Sequence, residues 1–147
     1  VSAKDRTVKE QYIRMIRGNS IYVLGNMIGK GLQNEILCPP VVHLLLDKTR
    51  EEDHVVRCNA LFCFRMAVEN DPNFWMDHQS IYDRAIEMLD REEAVVEEAL
   101  RLIKAYLEED ISLESATLME LSEKNMNYSN VARNIIGILE NRGLLEV

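Results

Sequence analysis

The side chains suited to chemistry are few and scattered: His43, His54 and His78, the run Asp77-His78-Gln79-Ser80, the thiols Cys38, Cys58 and Cys63, and the glycines Gly25, Gly29 and Gly31. A zinc-type site needs three or four ligands at set spacings, and these histidines fall on a core-type helix, a connector and a loop. Asp77, His78 and Ser80 have the residue types of a hydrolytic triad. A triad, however, is assembled from distant segments, and three polar neighbours in a loop suit a helix cap. A phosphate-cradling glycine loop follows a strand, whereas Gly25, Gly29 and Gly31 lie on and after a helical pattern. The cysteines are odd in number, and Cys58 and Cys63 point to different sides of one helix, so neither a disulfide framework nor a metal site follows. The expectation is a non-enzymatic chain without cofactor, metal or small-molecule substrate, from a reducing compartment: intracellular, cytoplasmic, with the nucleus also open.

The elements around these residues read as helices throughout. Gly and Pro together make only nine of the 147 residues, too little punctuation for many short strands. Apolar residues at helical spacing run from Val8 through Ile28, with Gly18 as a break or bend and Gly29-Lys30-Gly31 as the stop. Pro39-Pro40 fits the entry to a helix over 41–47. The stretch 57–68 is apolar almost all round, which predicts an inner helix. Asp71 or Asn73 can cap a short helix from Phe74, Ser80 opens the next in a Ser-x-x-acid box with Asp83, and further helices are expected over 94–107, 111–124 and 129–142. Met66, Met76, Met88 and Met119 read as adaptable core filler.

The helix at 57–68 has copies. Sliding back 40 residues lays Arg17-Gly18-Asn19-Ser20-Ile21-Tyr22 on Arg57-Cys58-Asn59-Ala60-Leu61-Phe62, and sliding forward 39 reaches Val96 to Leu107. A period near 40 in helical sequence marks a helical solenoid, in which each unit buries its apolar face only against its neighbours. The reading is an all-α, right-handed solenoid of about three to four repeats in a single domain, 1–147, with units near 5–37, 38–72, 73–109 and 110–143.

Charge is uneven. Residues 1–50 carry eight Lys/Arg against four Asp/Glu, and residues 51–147 carry nine against twenty-one. The acidic remainder disfavours nucleic acid, whose binding depends on phosphate neutralisation, while the basic first third can face an acidic protein. No apolar run reaches the roughly 20 residues of a membrane span. A start on Val rather than Met leads to the expectation of a piece of a longer protein.

Ser20-Ile21-Tyr22-Val23-Leu24-Gly25-Asn26-Met27-Ile28 resembles the third helix of an armadillo repeat, small-x-aromatic-x-Leu-x-Asn-apolar-small. In peptide-binding members, such as the importin-α and β-catenin proteins, the aromatic is Trp and the Asn four residues later clamps the backbone of an extended peptide. Tyr22 and Asn26 hold those positions here, Phe62 and Met66 hold them in the next unit, and Arg101 and Ala105 in the third. The resemblance implies an armadillo/HEAT-type scaffold or adaptor that binds a protein or peptide segment on its concave face. Its implied contact residues are Tyr22, Asn26, Phe62, Arg65, Met66, Arg101 and Lys104. An amide can both donate to and accept from an extended backbone; Met66 and Ala105 can do neither, so the stripe is mixed and takes an apolar or acidic helix as well as a strand.

Two further expectations concern the ends. An end repeat with exposed apolar residues offers a surface for a homodimer. Residues 111–147 also resemble the helix-turn-helix and wing start of a winged-helix domain, as found at the end of helical repeats in large regulatory assemblies. The supposed recognition helix carries Arg133 and Arg142 but also Glu140, which weighs against DNA.

Overall fold

A computed structural model describes residues 3–90, 93–109, 111, 113 and 130–143, and every regular element among them is helical. The protein is therefore all-α over this range. Its contacts divide the chain into two compact units, residues 1–76 and 77–147. No helix among the described residues is long and apolar enough to cross a membrane.

The first unit opens with α1 (Ala3–Arg17) and α2 (Ile21–Met27). The break between them falls where Gly18 marks it, but the left-handed residue is Asn19, at φ 60°. Asn tolerates that conformation better than other side chains with a Cβ, and its Oδ1 also accepts a hydrogen bond from Lys48 Nζ at 3.2 Å. After α2 the backbone widens into a π-turn (Ile28–Leu32), and the short α3 (Gln33–Ile36) follows. The expected glycine stop is found at Gly31, whose φ of 95° is the left-handed conformation that closes a helix.

Cys38 is extended before two prolines and leads into α4 (Pro39–Lys48). This is the arrangement proline enforces, since it disfavours helix in the preceding residue and needs no N–H in the first turn. α5 (His54–Asn70) is capped by Asp53, whose side chain accepts from Val55 N at 2.9 Å. Arg57 is buried, and its guanidinium donates to the carbonyls of Glu51 and Glu52, which lie between helices and lack a ladder partner. α1 packs on α2 and α4, α4 on α5, and α5 on α2. Ile16, Ile21, Leu24, Leu45, Leu61 and Phe64 are fully buried between them.

No helix forms at Phe74. Asp71 accepts from Asn73 N through its side chain and from Phe74 N through its carbonyl, both at 3.0 Å, so the segment closes as a turn. Phe74 is buried and Trp75 exposed.

In the second unit α6 (His78–Glu87) runs through a 3₁₀ turn (Met88–Asp90), followed by α7 (Glu93–Glu108) and α8 (Asn130–Asn141). α6 and α8 both pack on α7, whose Val95, Ala99, Leu102, Ile103 and Tyr106 are buried. On α8 the buried residues are Ala132, Ile135 and Leu139, one helical stripe. Arg142, just past α8, donates Nη2 to the carbonyl of Leu107. The helix expected over 111–124, and with it the helix-turn-helix resemblance, lies mostly outside the described residues.

The cap of α6 is Asp77, one turn before the expected Ser80. Its carboxylate accepts from Ser80 Oγ at 2.6 Å and from Ser80 N at 3.2 Å. These bonds, from the hydroxyl first and the amide second, hold the Asp77 carboxyl below its ordinary 3.8. A carboxyl depressed in the folded state adds stability above its ordinary value and loses it as pH falls through the folded one. Asp77→Ala should therefore lower the unfolding free energy by about 1 kcal/mol at neutral pH. Urea denaturation of both proteins should show the difference shrinking as the pH is taken from about 6 to about 3.

Candidate partner-binding surface

Two helices from different parts of the sequence lie side by side in the first unit. Cys63 Sγ donates to Ile21 O at 3.4 Å, the rings of Tyr22 and Phe62 stack at 5.8 Å, and Asn70 Nδ2 donates to Ile28 O at 2.6 Å. The separations are 42, 40 and 42 residues. In an antiparallel pair the separation would fall by two for every residue advanced. A constant offset means that α2 and α5 run parallel, in the register of the sequence repeat.

Glycine permits the approach. A Cβ on Gly25 would lie 2.5 Å from Phe62 Cδ2, and one on Gly29 would lie 3.1 Å from Met66 Sδ. Gly25, on α2, and Gly29, in the π-turn that follows it, both face α5, so the two backbones close over a smooth strip. Phe62 and Met66 lie against it.

The outer surface of this pair carries five of the seven residues singled out in the sequence. Tyr22 is 58% exposed although its ring rests at 21° to that of Phe62. Asn26, one turn further on α2, is exposed. Phe62 is half-buried, with Tyr22 stacked on it and the guanidinium carbon of Arg65 at 5.4 Å from its centroid. Arg65 is in turn held by Glu69, Nη1 to Oε1 at 3.4 Å. Met66 is half-buried beside Gly29.

Arg101 and Lys104 belong to α7 in the other unit. Arg101 pairs with Glu97 at 3.7 Å and Glu98 at 3.6 Å, and Lys104 with Glu108 at 3.5 Å. Both charges are answered along their own helix, at the i,i+3 and i,i+4 spacings that place side chains together. Sequence reasoning overlooked Val23, 52% exposed beside Tyr22, and the two bonds from Cys63 and Asn70. The small-xxx-small spacing of Gly25 and Gly29 was the available signal for the close contact.

The groups with chemical potential are placed apart. His43 is exposed, 3.9 Å from Asp47, and His54 is the exposed first residue of α5. His78 Nδ1 lies 2.8 Å from Tyr106 Oη, and Tyr82 meets the same ring edge-on. Burial pushes the Tyr106 phenol up, with the nearby Asp77 carboxylate adding to it. Burial likewise pushes up the Cys63 thiol, which keeps it a neutral donor to Ile21. Among the described residues no group of three His, Cys, Asp or Glu is arranged to hold a metal. Comparison with protein-family models, curated proteins and solved structures gives no match.

Two substitutions test how the surface is held. Gly25→Ala improves helix propensity by roughly 0.5–1 kcal/mol but drives a methyl into Phe62, and overpacking of this kind costs about 1–3 kcal/mol. Chemical denaturation should show net loss in the parent background and gain when Phe62→Ala is already present. Asn70→Asp preserves shape but replaces the donor facing Ile28 O with an acceptor; a loss of about 0.5–1.5 kcal/mol is expected, together with faster amide exchange in α2.

Proposed function

We propose that the chain is a protein-interaction module of the armadillo/HEAT kind, a helical scaffold whose α2/α5 surface holds a segment of a partner protein. The observation that carries this reading is the parallel pairing of α2 and α5 at a 40-residue offset, with Tyr22 and Asn26 turned outward at its edge. Parallel helices so far apart in sequence need a return element between them, and α4 occupies that stretch of chain. Repeating the arrangement produces a right-handed solenoid of three to four units, which is the architecture proposed here.

The chemistry of the surface suits binding. A ring backed by a second ring loses little freedom on contact and offers a broad apolar face. An exposed amide one turn away can donate to and accept from an extended backbone. Other polar groups in the same unit are spent on structure: buried Arg57 on loop carbonyls, and Asn70, at the end of α5, on Ile28 O.

Peptide display on the intact chain should select segments that bind at this surface. Tyr22→Ala should then weaken the selected peptides about tenfold to a hundredfold, and Asn26→Ala somewhat less, as expected for an anchor of a small interface. Helicity and melting should stay unchanged, because Tyr22 is exposed. Peptides that bind both variants as well as the parent would remove this surface from consideration.

A further inference from the structure

The α2 surface is framed by charge of one sign. Arg14 and Arg17 lie in the last turn of α1, and Lys30 lies in the π-turn that follows α2, so cations stand before and after the stretch that carries Tyr22, Val23 and Asn26. All three are exposed. Other cations of this unit are engaged: Arg65 with Glu69, Lys48 with Glu51 and Asn19, Arg57 with two carbonyls. Arg14, Arg17 and Lys30 have no carboxylate within salt-bridge distance among the described residues, and the same holds for Lys9 and Arg50. The described acidic residues between positions 9 and 36 are Glu10 and Glu35, both exposed.

From this we infer that the α2 surface selects a partner segment with an apolar centre flanked by carboxylates, and rejects one flanked by Lys or Arg. The inference rests on the α2/α5 surface being the partner site. An aromatic face can in general attract a cation, but Tyr22 here stands on a short helix that Arg17 precedes and Lys30 follows, and both repel a cation that approaches it. Carboxylates at the two ends of a segment complement both while its apolar centre lies over Tyr22 and Val23. Because these charges are solvent-exposed, each pair contributes modestly and is weakened by salt.

Three pools of nonapeptides test it, each with three central positions drawn from Leu, Phe and Pro, and flanks of Glu, Gln or Lys. Their binding to the intact chain is read by fluorescence anisotropy at low and high salt. The Glu pool should bind roughly tenfold tighter than the Gln pool, with the Lys pool weakest, and the order should flatten at high salt. The double variant Arg17→Glu/Lys30→Glu should reverse it.

A Lys pool that binds as well as the Glu pool, or an order unmoved by the double variant, would overturn the inference. If Tyr22→Ala still abolished binding in that case, the surface would stand and only its charge preference would fall. Binding indifferent to Tyr22→Ala would remove the surface itself, and failure of all three pools to bind at millimolar concentration would overturn both readings.

Discussion

The contact between Gly25 and Phe62 is the constraint on which the first unit depends. Any side chain at position 25 would occupy the space of the Phe62 ring, so glycine there sets how closely α2 can approach α5. That approach lets Cys63 reach Ile21 O and Asn70 reach Ile28 O, one bond near each end of α2. α2 is only seven residues long and contains a glycine. An isolated helix of that length is not stable in water. Its order comes from Ile21 and Leu24, fully buried, and from the two side-chain bonds that satisfy its carbonyls.

The same closeness explains why an aromatic residue stands exposed. Phe62 is pressed between the glycine strip and its own helix surface, and Tyr22 is carried over its ring by the parallel register. Tyr22 thereby keeps one face packed and the other in water. Arg65 lies over the Phe62 ring as well, and Glu69 fixes the guanidinium. Phe62 is thus covered from its own helix, whereas Tyr22 keeps an open face.

The all-helical class and the pairing of α2 with α5 were legible in the spacing of apolar residues. The 40-residue repeat aligned Tyr22 with Phe62, and the parallel register places those two rings in contact. The prolines at 39 and 40 opened a helix as their missing N–H requires. What escaped were choices between neighbouring residues of similar aptitude. Asn19 took the left-handed position beside Gly18 because its side chain could also meet Lys48. Asp77 displaced Ser80 as the cap because its carboxylate accepts from both the amide and the hydroxyl of Ser80, which leaves that hydroxyl engaged as a donor. At Phe74 a turn closed by Asp71 displaced the expected helix, since burying one ring needed no helical turn.

The candidate surface was legible in part for a related reason. Spacing identifies which residues share a helix face, but not which of them are already bonded there. Arg65, Arg101 and Lys104 each have a carboxylate at i±3 or i±4 and use it, so their charges are largely neutralised before any partner arrives. Removing them from the stripe leaves Tyr22 and Asn26 exposed on α2, with Val23 exposed beside Tyr22, and Phe62 and Met66 half-buried on α5. A regular ladder reads a partner by repeating one contact at each unit, and its specificity accumulates with length. A surface with one open rung has no such accumulation. On the reading proposed above, selectivity would come from what stands immediately before and after it, the end of α1 and the π-turn after α2.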